Sequence, residues 1–183
     1  MKLVAPETPI IKKTLPKYDD SQLEEYGFKD RKELTDKMFE FMSKSGGIGL
    51  TANQVGYDLN VFVLGNHPSL ESGMKLACFN PMIISTSSEL ITMKEGCLTY
   101  PFLFLNIKRP RKIVAKFEDE NGEMKEGSFD GYMSRVFQHE YDHTQGVTMV
   151  DKVSKFRYNL GLKKAQKIMK KHMREMKNAK KDN

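Results

Sequence analysis

Two imidazoles four residues apart, with a carboxylate directly after the first, are the side chains here best suited to chemistry. His139-Glu140-Tyr141-Asp142-His143 reads H-E-x-x-H. On a helix, residues four apart lie one above the other, so His139 and His143 can direct both rings at a single metal ion. Glu140 falls about 100° further round at 3.6 residues per turn, beside the ion rather than under it. A general base for a metal-bound water belongs there. Only four histidines occur in 183 residues, and spending two of them here argues against chance on a solvated helix face. Two ligands do not complete a site: a catalytic zinc-type centre takes three from the protein and keeps one position open.

The third ligand must come from Cys78, Cys97, His67, His172 or an acid. A thermolysin-type site draws on a glutamate of a downstream helix, and Glu175 lies deep in a lysine-rich arm. The metzincin pattern H-E-x-x-H-x-x-G-x-x-H holds through Gly146 and fails at Met149. Cys97 is the attractive choice that remains, a soft thiolate in a turn with Gly96 beside it. Cys78 lies inside a strand pattern and reads as a small buried hydrophobe.

The elements that must position these residues are legible in outline. Around the motif, Met133, Val136, Phe137 and Tyr141 recur at helical spacing, Asp130 or Ser128 can cap the start, and Gly146 lies past the end. An earlier amphipathic helix is predicted from Asp30 to Ser45, with Leu34, Met38, Phe41 and Met42 inward and Gly46-Gly47 ending it. The glycine-rich run Gly46 to Gly56 fits a tight turn or a ligand-cradling loop equally well. No Gly-Lys-Ser/Thr follows, so it is not a phosphate loop.

Strands are predicted at Val61–Leu64, Leu76–Phe79, Met82–Ser85 and Leu90–Met93, with Pro81 breaking the series. Glu95 to Pro101 interrupts that pattern, and Pro101 places Cys97 at a strand end or in a turn. Phe102–Ile107, Lys112–Glu118 and Glu123–Phe129 follow, the last two joined by an Asn121-Gly122 hairpin signal. Val147–Val150 reads as one more short strand. Residues 1–20 read as an extended leader. Ser154 to Lys177 reads as a long basic helix docked by Phe156, Leu160, Ile168, Met169, Met173 and Met176. The whole is an α+β layout, mostly antiparallel strands around the central H-E-x-x-H helix. A catalytic domain is expected over 1–153, with residues 154–183 a helical extension of it.

Composition bounds the setting. A 21.1 kDa chain suits a single core. No run approaches the roughly 20 apolar residues of a membrane span. The first residues lack the apolar stretch of a signal peptide. Two cysteines are too few for a disulfide framework, so a reducing, cytoplasmic setting is expected. From Lys152 onward there are twelve Lys or Arg and two acids, a net of +10; the whole chain carries +6, which leaves −4 on the body. Such an arm suits a polyanionic partner.

Three segments together resemble the signature motifs of the peptide deformylases: Gly47-Ile48-Gly49-Leu50-Thr51-Ala52-Asn53-Gln54, Glu95-Gly96-Cys97-Leu98-Thr99 and Gln138-His139-Glu140-Tyr141-Asp142-His143. Their order and spacing agree with the family over roughly residues 1–155. The departures are Thr51 where alanine is usual and Thr99 where serine is usual, at positions the chemistry is not expected to require. The resemblance implies one divalent metal, usually ferrous iron with zinc or nickel accommodated, on Cys97, His139 and His143. It implies Glu140 as general acid and base, with the Gln54 amide and the Leu98 backbone N–H stabilising an oxyanion. The substrate implied is the N-formyl group on the initiator methionine of a nascent peptide. Gly47, Ile48, Gly49 and Gly96 would present backbone to it, and Ile48 and Val136 would receive the methionine side chain. The long basic end is a variable region of the family. In some members the C-terminal helix contacts the ribosome, and here it would either contact the ribosome or its RNA or serve only as a solubilising tail. The alternatives are an H-E-x-x-H peptidase cutting internal bonds and a non-catalytic, metal-stabilised RNA-binding module.

Overall fold

The computed structural model describes residues 1–65 and 74–179; His67 lies outside them. A five-stranded antiparallel sheet is built from β1 (Gly49–Thr51), β2 (Val61–Gly65), β3 (Lys75–Thr86), β6 (Lys112–Glu118) and β7 (Met124–Asp130), in the order β1-β2-β3-β6-β7. A separate antiparallel hairpin pairs β4 (Leu90–Cys97) with β5 (Tyr100–Pro110). Among the described residues, three α-helices complete the fold: α1 (Arg31–Lys44), α2 (Gly131–Thr144) and α3 (Lys155–Ala179). Antiparallel sheets with helices make this an α+β protein. Among the described residues, no helix is long and apolar enough to cross a membrane.

Alternation along β2 explains the layering. Side chains of successive strand residues point to opposite faces. Val61 and Val63 pack with Leu34, Met38 and Met42 of α1, whereas Phe62 and Leu64 pack with Val136 and Phe137 of α2. Both faces of β2 are buried, which is why it reads as an unbroken apolar run. Helix α2 is covered on its other side by the β4–β5 hairpin, where the Arg135 guanidinium donates to the carbonyls of Ile91 and Ile107. With two covered sides, α2 buries nearly every residue from Ser134 to Glu140.

Several expectations need correction. Pro81 does not break a strand: β3 runs through it, with a register shift between Phe79 and Met82 where Pro81 needs no ladder partner. Asn80 turns into φ +49 there, and its amide bonds both Tyr18 and Glu118. Glu95 and Gly96 continue β4 rather than interrupting it, and Cys97 is its last residue. Val147–Val150 is not a strand: Thr148 and Asp151 form a capping box over a 3-10 turn at Met149–Lys152. The leader contains 3-10 turns at Pro9–Lys12 and Asp20–Tyr26. Asp130 sits at the start of α2 without capping it, its carboxylate taken by Arg111 and Lys112. The stripe assigned to α3 does not dock it: Phe156, Leu160, Ile168, Met169, Met173 and Met176 are all exposed. Gly161 against Leu103 and Leu105, together with buried Ala165, makes the contact instead.

Gly146 closes the turn after α2 at φ +68, and a Cβ there would lie 2.4 Å from the Lys12 carbonyl oxygen. Gly146→Ala is therefore expected to lower stability by about 1–3 kcal/mol through its backbone conformation alone, with the clash added. An unchanged midpoint in urea unfolding would show that the leader does not pin this turn.

Candidate metal centre

Strand β4 delivers Cys97 to the hairpin tip, and the tight turn at Leu98-Thr99 leads straight into β5. Helix α2 delivers His139 and His143 one turn apart, their ring centroids separated by 5.2 Å. The Cys97 sulfur lies 3.3 Å from His143 Nε2. Ligand atoms of Cys97, His139 and His143 all fall within 4.8 Å of one another. His139 turns its Nδ1 to the Glu95 carboxylate at 2.9 Å, which leaves Nε2 for the centre.

Donor chemistry decides whether these residues fit a metal. Burial alone would raise the Cys97 thiol, but the His143 and His139 rings beside it outweigh burial and hold it well below the ordinary thiol range. That direction favours the thiolate, the form in which cysteine binds metals. Burial would lower His139, while its bonds to Cys97 and Glu95 raise it well above the ordinary imidazole range. One sulfur and two imidazoles whose ligand atoms lie within 4.8 Å of one another make a three-ligand set of the kind that holds a metal, and the set fits.

Glu95 was quoted in a motif but given no task by sequence reasoning. It is 5% exposed, and three donor groups converge on it: Arg109 at 2.7 and 3.0 Å, Arg135 at 2.8 Å, and His139. Burial pushes its carboxyl up; the bonds from His139 and Arg109 more than reverse this and hold it far below the usual carboxylate range. Arg109 also binds Asp142, which Lys152 reaches at 3.1 Å. Neither arginine carries a sequence signal beyond its charge, and both would pass for surface residues.

Glu140 is buried beside the ligands, and burial raises its carboxyl although both histidines pull it down. Thr51 Oγ1 donates to its Oε2 at 2.8 Å. The Gln54 carbonyl oxygen accepts from Thr51 N–H at 2.8 Å, so its NH2 turns toward Thr99 Oγ1 at 3.0 Å and Cys97 Sγ at 3.4 Å. Thr51 and Thr99, the two departures from the family's usual residues, thus both bond to site side chains, one to the Glu140 carboxylate and the other to the Gln54 amide.

A cleft of about 570 Å³ opens over these groups, lined by Gly47, Ile48, Gly49, Gln54, Gly96, Cys97, Leu98, Val136, His139 and Glu140. Every site residue singled out from the sequence is there except His143, which is fully buried beneath. The glycines make room for the chain's own groups. A Cβ on Gly49 would meet the Glu140 carboxyl at 2.3 Å, one on Gly96 the Phe104 ring at 2.7 Å, and one on Gly47 Leu98 at 2.8 Å. His172 stands apart, its ring tilted at 50° against Phe102 with centroids 5.7 Å apart, and Cys78 is fully buried with its thiol raised by burial.

Comparison with known proteins agrees with this geometry. The chain is 38% identical to the peptide deformylase of Aquifex aeolicus over 143 residues, covering 78% of this chain and 84% of that protein. It is 39% identical to that of Borreliella burgdorferi over 144 residues, covering 79% and 81%. A crystal structure of a peptide deformylase from Synechococcus elongatus in complex with actinonin superposes with a TM-score of 0.78 at 29% identity, covering 89% of this chain and 86% of that one. The family model described as polypeptide deformylase matches residues 3–159, and on these grounds the chain belongs to the peptide deformylase family.

Proposed function

We propose that this chain hydrolyses the N-formyl group of the initiator methionine on nascent polypeptides and releases formate, with Cys97, His139 and His143 holding one divalent metal ion. The supporting observation is the meeting of three ligand atoms within 4.8 Å, in a cleft that also holds a buried carboxylate and an oriented amide. The donor set suits ferrous iron, zinc or nickel, and ferrous iron is the ion proposed for the cell. When bound, such an ion polarises a carbonyl and makes water acidic enough to attack at neutral pH.

The chain's own groups do the rest. Glu140 accepts the proton of the attacking water and returns it to the leaving amine. Thr51 engages one of its oxygens and leaves the other beside Gly49, facing the cleft. With its carbonyl oxygen committed to Thr51, Gln54 can only offer N–H to charge developing on the formyl oxygen, and the Leu98 backbone N–H joins it. One such donor is worth about 3–4 kcal/mol of barrier. Strand β1 is the sheet's edge, so an extended peptide can add to it as a further strand. Ile48 and Val136 then receive the methionine side chain. Formyl carries hydrogen where acetyl carries a methyl, and a cramped site rejects acetyl by clash. The exposed lysines of α3 suit contact with ribosomal RNA in the cytoplasm, where formylated chains emerge.

Glu140→Gln is expected to keep its metal and lose formate release by about 10²–10⁴-fold; near-normal turnover on a formyl-Met peptide would remove Glu140 from the mechanism. Cys97→Ser is expected to lose metal on dialysis, and full retention by elemental analysis would favour an internal-bond peptidase with another ligand. Thr51→Val removes a hydrogen bond to a charged group, generally worth about 1.5–3 kcal/mol. At least a tenfold fall in kcat with KM and metal content unchanged is expected, and unchanged kcat would make that hydroxyl structural only.

A further inference from the structure

We infer that the groove between α3 and the β4–β5 hairpin is a downstream subsite of the catalytic cleft, favouring formylated chains with acidic side chains beyond the first residues. This rests on the deformylase reading. The groove encloses about 590 Å³, with Lys94 and Phe104 on the hairpin side and Arg157, Leu160, Lys164 and Ile168 on the helix side. Lys94, Phe102 and Phe104 also line the catalytic cleft. The two hollows therefore share a wall at Lys94, Phe102 and Phe104, and a peptide leaving the cleft over Phe104 would come to lie at the groove.

Charge selects what lies there. Three cations and no carboxylate line the groove. Among the described residues, none of the three forms an ion pair, whereas Arg31, Arg109, Arg111 and Arg135 are all paired. The Lys94 ammonium rests over the Phe104 ring at 4.8 Å. Unopposed cations in a concave, partly apolar wall raise the local concentration of an anionic segment and speed its capture. Exposed Phe104, Leu160 and Ile168 offer apolar surface to the stems of glutamate and to apolar neighbours. The occupant that fits is the continuation of the substrate chain, since the groove leads directly out of the site that holds its first residue.

The test compares kcat/KM for formyl-Met-Ala-Ser followed by four Glu, four Gln or four Lys, at low and high salt, with formyl-Met-Ala as a peptide too short to reach the groove. The Glu tail is expected to exceed the Gln tail by about tenfold at low ionic strength, the advantage shrinking as salt screens it. In Arg157→Glu/Lys164→Glu, exposed positions outside the catalytic machinery, the order of Glu and Lys tails should invert while formyl-Met-Ala turnover stays unchanged. Arg157→Gln/Lys164→Gln should level the three tails. Equal kcat/KM for all tails in the unaltered protein, or a Glu preference that survives in both double variants, overturns the subsite. Loss of tail dependence together with capture of labelled oligouridine that Arg157→Glu abolishes overturns it in favour of RNA. Failure of the unaltered protein to release formate from formyl-Met-Ala overturns the deformylase reading itself.

Discussion

A single buried carboxylate ties the molecule together. Glu95 belongs to β4, Arg109 to β5, and Arg135 and His139 to α2, so its four short contacts tie the β4–β5 hairpin to a helix with which it shares no ladder. Taking ions out of water costs several kcal/mol each, and the cost is recovered only where geometry and hydrogen bonding are complete. Both oxygens of Glu95 are doubly engaged, which meets that condition. Removing one partner from such a set typically costs 3–5 kcal/mol, because the remaining charges stay buried. The hairpin bearing the sulfur and the helix bearing the imidazoles are thereby held in one register.

The same arrangement orients the chemistry. A ligating histidine needs its other ring nitrogen fixed, and the partner that fixes it is commonly a carboxylate. Here that carboxylate is shared with two guanidiniums, and through Arg109 and Asp142 the network reaches Lys152 just before α3. Two carboxylates face three cations, an excess of one positive charge next to the metal ligands. Apolar packing of Phe137 against Phe62 and Phe129 fixes the opposite side of α2. The helix is thus clamped between a dry face and a charged one.

How much of this was legible follows from the range of the interactions involved. Helix α1, strand β6 and the H-E-x-x-H helix announce themselves because burial of one face imposes a period on neighbouring residues, and β2 does so as an unbroken apolar run buried on both faces. Strand β3 does not, since the tertiary bonds of Asn80 stabilise a bulge that makes Pro81 harmless. Thr51 and Thr99 gave no signal, because their partners Glu140 and Gln54 are 89 and 45 residues away. The arginines at 109 and 135 look like solvent-facing charges until the fold surrounds them. On α3 the apolar period was real, but the residues bearing it stay exposed, and the close approach is made where Gly161 and Ala165 are small.

The near contact between Gly49 and the Glu140 carboxyl has an evolutionary consequence. The strand edge proposed to receive a peptide and the carboxylate proposed to move protons occupy adjoining space, with no side chain on Gly49 to absorb a shift. Selection acting on one must carry the other along. On the proposed mechanism, substrate range would drift readily at the pocket walls and along the outer groove, while the meeting place of edge and base would stay frozen.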